Sequence, residues 1–256
     1  MHTKKNRVEA SKIATGVALL LGLGLVGVFE IGIRYFLDLR APRLIVELAQ
    51  FEEKSLRSIN PTYARRFFSG VDVNGMRMTP HPFVEPRHTN SLRVVIVGGS
   101  TVQGYPHPRR LTTSSYIQSM LEDALPQQRV EVFNLGITAI SSFAVARVVE
   151  DAMELKPDIV VVYTGHNEIY GVYGAASLSQ GGESIWVKKL HYNIMQWGIT
   201  ALVHRVIQLF NSASRDSPPK SLLNVMAAAG SVAPEDPRRK KAERNLRANL
   251  REITEI

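Results

Sequence analysis

Cysteine is absent from all 256 residues. That excludes disulfides and thiolate metal sites and leaves the redox compartment unread. Aromatic residues make up only 7% of the chain, with two tryptophans, and this matters for how the excess positive charge is read. The formal net charge is +8, and part of it lies in "PRRKKAERNLRANLR" near the carboxyl end. No aromatic interleaves that cluster, so it lacks the stripe expected of a nucleic-acid surface and reads as the solvated face of a helix. No nucleic-acid partner is expected. No two histidines stand three or four residues apart, as a helical metal site would place them, so no metal and no cofactor are expected either. The turn "GGST" at 98–101 lacks the lysine of a P-loop, which makes phosphate binding the weakest of three readings of that turn.

What the chain does have is one long apolar run. "IATGVALLLGLGLVGVFEIGI", residues 13 to 33, approaches the length needed to cross a hydrocarbon core of ~30 Å. It contains a literal G-x-G-x-x-G at 22–27, but no strand precedes it, and the dinucleotide fingerprint has a mechanism only after a strand. The match is a coincidence of composition. Lys4, Lys5, Arg7 and Lys12 precede the run and Arg34, Arg40 and Arg43 follow it, a small bias toward a cytoplasmic amino terminus. No small-x-small cleavage site follows the apolar core, so an uncleaved anchor over 13–36 is preferred to a signal peptide. The expectation is a basic cytoplasmic tail at 1–12 and a single pass, with the rest periplasmic or extracellular and the bilayer itself as a partner.

Residues 37–90 read as a linker with an amphipathic helix at 44–59, where Leu44, Leu48, Phe51, Leu56 and Ile59 fall at loosely helical spacing. From 91 onward, strands and helices alternate. Strands are expected at Leu92–Val97, "RVEVFNLG" and "DIVVVYTG"; helices at "SSYIQSMLEDAL" and "SSFAVARVVEDAMEL", the latter with Ser141 or Ser142 as cap and Lys156-Pro157 at its end. The third strand is nearly all apolar, as when both faces of a parallel sheet are covered. This alternation predicts an α/β domain over 91–256, a three-layer αβα sandwich with a parallel sheet. Ligands of such sheets bind outside the carboxyl ends of the strands. Here those ends read "GGST", "NLG" and "GHNE". Beyond them, "YGVYGAASLSQGG" reads as a loop, "IWVKKLHYNIMQWGITALVHRVIQLF" as one long helix, and "NSASRDSPPKS" as a linker, together a lid or insert over 170–236. Packing of that helix on the domain is the preferred reading; the alternative, given Trp186, Trp197 and its basic residues, is that it lies in the membrane interface near the anchor.

These three blocks resemble those of the SGNH hydrolases, the GDSL-type esterases, a family of flavodoxin-like folds. The wording "GGSTVQG … NLGITAISS … VVYTGHNEIYG" is similar to a bacterial membrane-anchored subgroup often linked to tetratricopeptide repeats. The resemblance implies Ser100 as nucleophile, the Gly136 N–H as one oxyanion donor and the Asn167 side-chain amide as another. A serine hydroxyl needs a base to take its proton, and attack on an ester builds negative charge that fixed donors must meet. The implied activity is hydrolysis of acyl esters, such as O-acetyl groups on an envelope glycan.

Three departures qualify this. The usual Gly-Asp-Ser is Gly98-Gly99-Ser100, and the usual Gly-x-Asn-Asp is Gly165-His166-Asn167-Glu168. The family's late Asp-x-x-His has no counterpart after Asn167, where only His191 and His204 occur. The expectation is therefore an amino-terminal portion of the usual domain, hydrolysing model esters feebly. The alternative is a catalytically silent anchored module that keeps the fold for binding or assembly. His166 is not expected to serve the site, because neighbours in extended chain point to opposite faces. His107, on a loop near Ser100, is a remote candidate base.

Overall fold

The structure is a computed structural model describing residues 2–37, 39–68, 77–176, 184–211 and 232–256. The chain divides into two compact units. Parts of the expected 170–236 insert, namely 177–183 and 212–231, which include most of the expected linker, lie outside the described residues.

The first unit joins the amino-terminal helix α1 (His2–Phe36) to α6 (Gly198–Asn211). Within α1, Ala14–Phe36 is the one helix among the described residues long and apolar enough to cross a membrane, with a mean hydropathy of 2.2 over its window. Leu20, Leu23, Leu25 and Val28 are all exposed, so no described protein surface covers it. Such a helix is consistent with a membrane anchor or a signal sequence. The long helix expected at 185–210 is two helices, α5 (Ile185–Met195) and α6, interrupted before the buried Gly198.

The second unit contains two sheets. The smaller is antiparallel, β1 (Ile45–Phe51), β2 (Lys54–Ile59) and β3 (Pro82–Glu85) in that order. It replaces the helix expected at 44–59. Glu52 adopts a left-handed φ of 47°, which turns the chain back and pairs Phe51 with Lys54 and Ile45 with Ile59. Leu48 and Phe51, assigned to the apolar face of that helix, are exposed, while Leu44, Ile45 and Ile59 enter the core. β-branched Ile45-Val46 and the tight two-acid turn favour a hairpin over a helix whose spacing was only loosely periodic.

The larger sheet is parallel, ordered β5–β4–β6, with β4 at Ser91–Gly98, β5 at Arg129–Gly136 and β6 at Ile159–Tyr163. Its period of two distributes the core. Val94 and Ile96 pack with Val102, Val130 and Val132 on one face, where α3 (Thr113–Ala124) adds Ile117 and Leu121. Val95 and Val97 point the other way, into a cluster with Phe133, Leu135, Phe143 and Val148. Phe143 and Val148 belong to α4 (Ser142–Ala152), which has eight buried residues. Against α4 lies α7 (Pro237–Thr254), whose Asn249 amide donates to the Ser142 hydroxyl at 2.8 Å. The result is an α/β unit with a three-strand parallel sheet flanked by helices. The expectation that β6 is covered on both faces is not met among the described residues. Ile159, Val161 and Tyr163 are exposed on this edge strand, while Val160 and Val162 pack on the core.

Candidate active site at the carboxyl rim

The three strand ends meet by register. Gly98 closes β4 and pairs with Gly136 on one side and Tyr163 on the other. A Cβ at Gly98 would run into the Tyr163 carbonyl, so glycine is required for β4 to end this close to β6. The chain then turns at Gly99, the extended residue before the short helix α2 (Ser100–Gln103). Ser100 is therefore the first residue of a helical turn, half-buried, with its backbone N–H among those a helix start leaves unpaired. Gly104, at a left-handed φ of 84°, closes that turn.

Gly136 occupies the neighbouring strand end, but its amide is engaged: the N–H donates to Asn134 Oδ1 at 2.9 Å. The Asn134 amide in turn donates to the Val102 carbonyl at 2.7 Å and to the Ser114 hydroxyl at 2.9 Å. Gly136 also gives clearance, because a Cβ there would fall on the Gln103 backbone. After β5 the chain crosses the rim with Ala139 at a left-handed φ of 60° and its carbonyl accepting from Val172 at 2.7 Å, and then enters α4.

The third strand end supplies the polar side chains. After Tyr163 the chain leaves extended geometry, and Gly165 takes a φ of 125° that L side chains rarely adopt. This turn brings two consecutive side chains toward one residue. A Cβ placed on Gly99 would lie 2.9 Å from Asn167 Nδ2 and 2.9 Å from His166 Nε2. The expectation that His166 faces away from Asn167 is thus overturned, because it assumed extended backbone where a left-handed glycine bends the chain. Asn167 Nδ2 is buried and has no hydrogen-bond partner among the described residues. A buried amide left unpaired costs ~1–3 kcal/mol, so such groups call for an explanation.

Glu168 fixes this turn to the rest of the rim. Its carboxylate accepts the Ser142 N–H at 2.7 Å and the Ser142 hydroxyl at 2.7 Å. It thereby does the capping expected of Ser141 or Ser142, neither of which caps α4 with its own side chain. Burial pushes the Glu168 carboxyl above the usual carboxylate range, against the Ser142 hydrogen bonds and the nearby Lys188 charge. In the sequence Glu168 shows only as a variant of the usual aspartate; its 26-residue separation from Ser142 hides a direct bond. His107 is exposed on the loop after α2, and the His191 ring lies within hydrogen-bond reach of the Tyr173 hydroxyl at 3.2 Å. Among the described residues no group of three His, Asp or Glu comes together as a metal site would require.

No family model matches the chain, and no curated protein does. Solved structures give a distant, partial likeness. The crystal structure of AlinE4, an SGNH-hydrolase family esterase, aligns with a TM-score of 0.29 at 16% identity, covering 32% of this chain and 44% of that one. Two mutants of the same esterase align over the same shares, with TM-scores of 0.29 and 0.27 and identities of 16% and 15%. The chain thus spans less than half the length of these esterases.

Proposed function

We propose that this chain is a membrane-anchored serine esterase of the SGNH type, with Ser100 as nucleophile and acyl esters, O-acetylated glycans among them, as substrates. The orientation proposed is a cytoplasmic amino terminus with the α/β unit outside. One observation carries the reading: the buried, unpartnered Asn167 amide beside Gly99, one residue from the Ser100 hydroxyl. An amide with no partner among the described residues suits an oxygen that becomes anionic only during reaction. In that step Ser100 Oγ bonds to the ester carbon and the carbonyl electron pair moves onto oxygen. The Asn167 amide and the Ser100 N–H receive that oxygen. Gly136 joins as a third donor by exchanging Asn134 Oδ1 for it. His166, whose ring reaches the same glycine, is the acceptor we assign to the Ser100 proton, which it then returns to the departing alkoxide. Water repeats the sequence to release the acid.

A fluorophosphonate separates this reading from a silent module, because its adduct needs only an activated serine and its donors, not full turnover. The full chain should be labelled and Ser100→Ala should not. His166→Ala should label at a rate reduced ~10²–10⁴-fold, the usual worth of a general base. Labelling that survives Ser100→Ala, or no labelling of the parent chain at all, would overturn the assignment.

A further inference from the structure

The second apolar element is α6, and its attachment to α1 is specific. Glu30, inside the lipid-length segment of α1, is only 9% exposed. Its carboxylate accepts the Gly198 N–H at 2.7 Å and the Ile199 N–H at 2.9 Å, and Arg34 Nε donates to it as well. Those two amides are the first of α6, where a helix leaves its N–H groups unpaired and its dipole favours negative charge. Gly198 is needed for the approach, since a Cβ there would lie 2.8 Å from both Ile33 Cγ2 and the Leu39 carbonyl. A carboxylate at membrane depth is costly unless it is paired, and here α6 supplies most of the pairing.

The pairing fixes where α6 begins. Glu30 stands six residues before Phe36, the end of α1, a rise of ~9 Å at 1.5 Å per residue. The start of α6 must share that depth, near the boundary between acyl chains and headgroups. Trp197, 42% exposed, sits there, at the level where tryptophan is enriched. Along α6, apolar Ile199, Leu202, Val203, Val206 and Ile207 recur at helical spacing, and Val203, Val206 and Ile207 are 49%, 41% and 49% exposed. Arg205 is exposed between them and has a stem long enough to reach headgroups. Within this unit α6 contacts α1, and both helices leave apolar side chains exposed.

We infer that α6 is a second lipid-contacting helix, held by Glu30 at the membrane boundary so that its Trp197, Val203, Val206 and Ile207 face is covered by the bilayer. It would give the chain a second hold on the membrane, independent of what the rim does chemically.

The test uses the full chain in phosphatidylcholine vesicles. Trp186→Phe leaves Trp197 as the sole tryptophan. Brominated acyl chains should then quench its emission by roughly half or more, as for an indole ~5–10 Å into the headgroup–acyl boundary. A second reporter, Val206→Trp in a Trp186→Phe/Trp197→Phe background, should be quenched comparably. Glu30→Gln, which keeps an acceptor for α6, should retain the quenching, and Glu30→Leu should lose it. Carbonate extraction of the parent chain, emission open to acrylamide at Val206→Trp, or protection from acrylamide without bromolipid quenching would each overturn the inference. The last of these is the signature of a second copy, or another protein, covering α6.

Discussion

Strand β4 ends differently at its two ends, and the contrast separates the part of the sheet that holds the fold from the part to which we assign the reaction. At the amino end, Arg93 is fully buried, yet Nε donates to Glu131 at 2.8 Å, Nη1 to Glu85 and to the Leu155 carbonyl at 2.9 Å, and Phe83 and Phe133 flank the guanidinium. Asp158 accepts the Arg93 N–H at 2.7 Å and Arg87 Nη2 at 2.9 Å. Charge there is met by charge. At the carboxyl end the strand dissolves into Gly98-Gly99, and the buried Asn167 amide beside that turn has no partner among the described residues. The difference lies in charge pairing and not in complete satisfaction: Arg93 Nη2, like Asn167 Nδ2, has no hydrogen-bond partner among the described residues, but the Arg93 guanidinium is held by two carboxylates.

The largest effect should come from breaking the satisfied end. Arg93→Ala leaves the Glu131 carboxylate, 10% exposed, without the guanidinium it shares with Glu85. Removing one partner of a buried pair costs ~3–5 kcal/mol. Urea denaturation of the α/β unit should register that loss. A loss below ~1 kcal/mol, the scale of an exposed ion pair, would mean that this end is no more stabilising than a surface contact.

Asn167→Ala should do the reverse. Deleting one oxyanion donor typically costs ~10²–10³-fold in rate, so phosphonate labelling should slow by about that factor. Folding stability should not fall, and should rise to the extent that the cost of burying an unpaired amide is relieved, because no hydrogen bond is lost. Gly99→Ala should slow labelling similarly by pushing the Asn167 and His166 side chains away from the turn. A marked destabilisation in Asn167→Ala would show that its amide has a structural partner, and the contrast between the two ends would fail.

How much of this was legible in the residues follows from what kind of signal each feature leaves. Strands β4, β5 and β6 were readable because buried parallel strands are short apolar runs punctuated by glycine; β5 ends at Gly136 as expected, β4 runs one residue further, to Gly98, and β6 stops two residues earlier, at Tyr163. The rim was readable for the same reason, since strand ends in a parallel sheet must gather on one side. The hairpin at 45–59 was not. Five apolar residues at loose helical spacing imitate a helix; β-branched Ile45-Val46 and the Glu52-Glu53 turn lean the other way, and the pairing of Ile45 with Ile59, a non-local fact, settles it. His166 was misread because alternation of faces holds only in extended chain, and the φ of 125° at Gly165 is invisible in a letter G. The Glu30–Gly198 contact spans 168 residues, and no local pattern announces such a bond.

The smallest predicted effect concerns protons and sharpens the contrast further, because the two ends of the sheet move their carboxyls in opposite directions. Asp158 is held below its ordinary value, chiefly by the Arg93 N–H and then by the Arg87 guanidinium. Glu168 is pushed up by burial, against the pull of the Ser142 hydrogen bonds and Lys188. For Asp158 the folded state releases its proton more readily than the unfolded chain. Its contribution is therefore present above the ordinary carboxyl range and lost as pH falls through its lowered value. For Glu168 the folded state binds the proton more tightly, so stability is greatest below the ordinary carboxyl range and declines as pH rises through the raised value. Glu168→Gln keeps an acceptor for the Ser142 N–H and removes that titration. The stability of the parent chain relative to Glu168→Gln should therefore fall as pH rises from acid toward neutral, by less than either change above. Relative to Asp158→Asn it should rise over the same range. Paired urea titrations across that interval measure both slopes. If the Glu168→Gln difference also rose with pH, the Ser142 and Lys188 contacts would outweigh burial, and the glycine-ended rim would be as well paired for charge as the arginine-bound end.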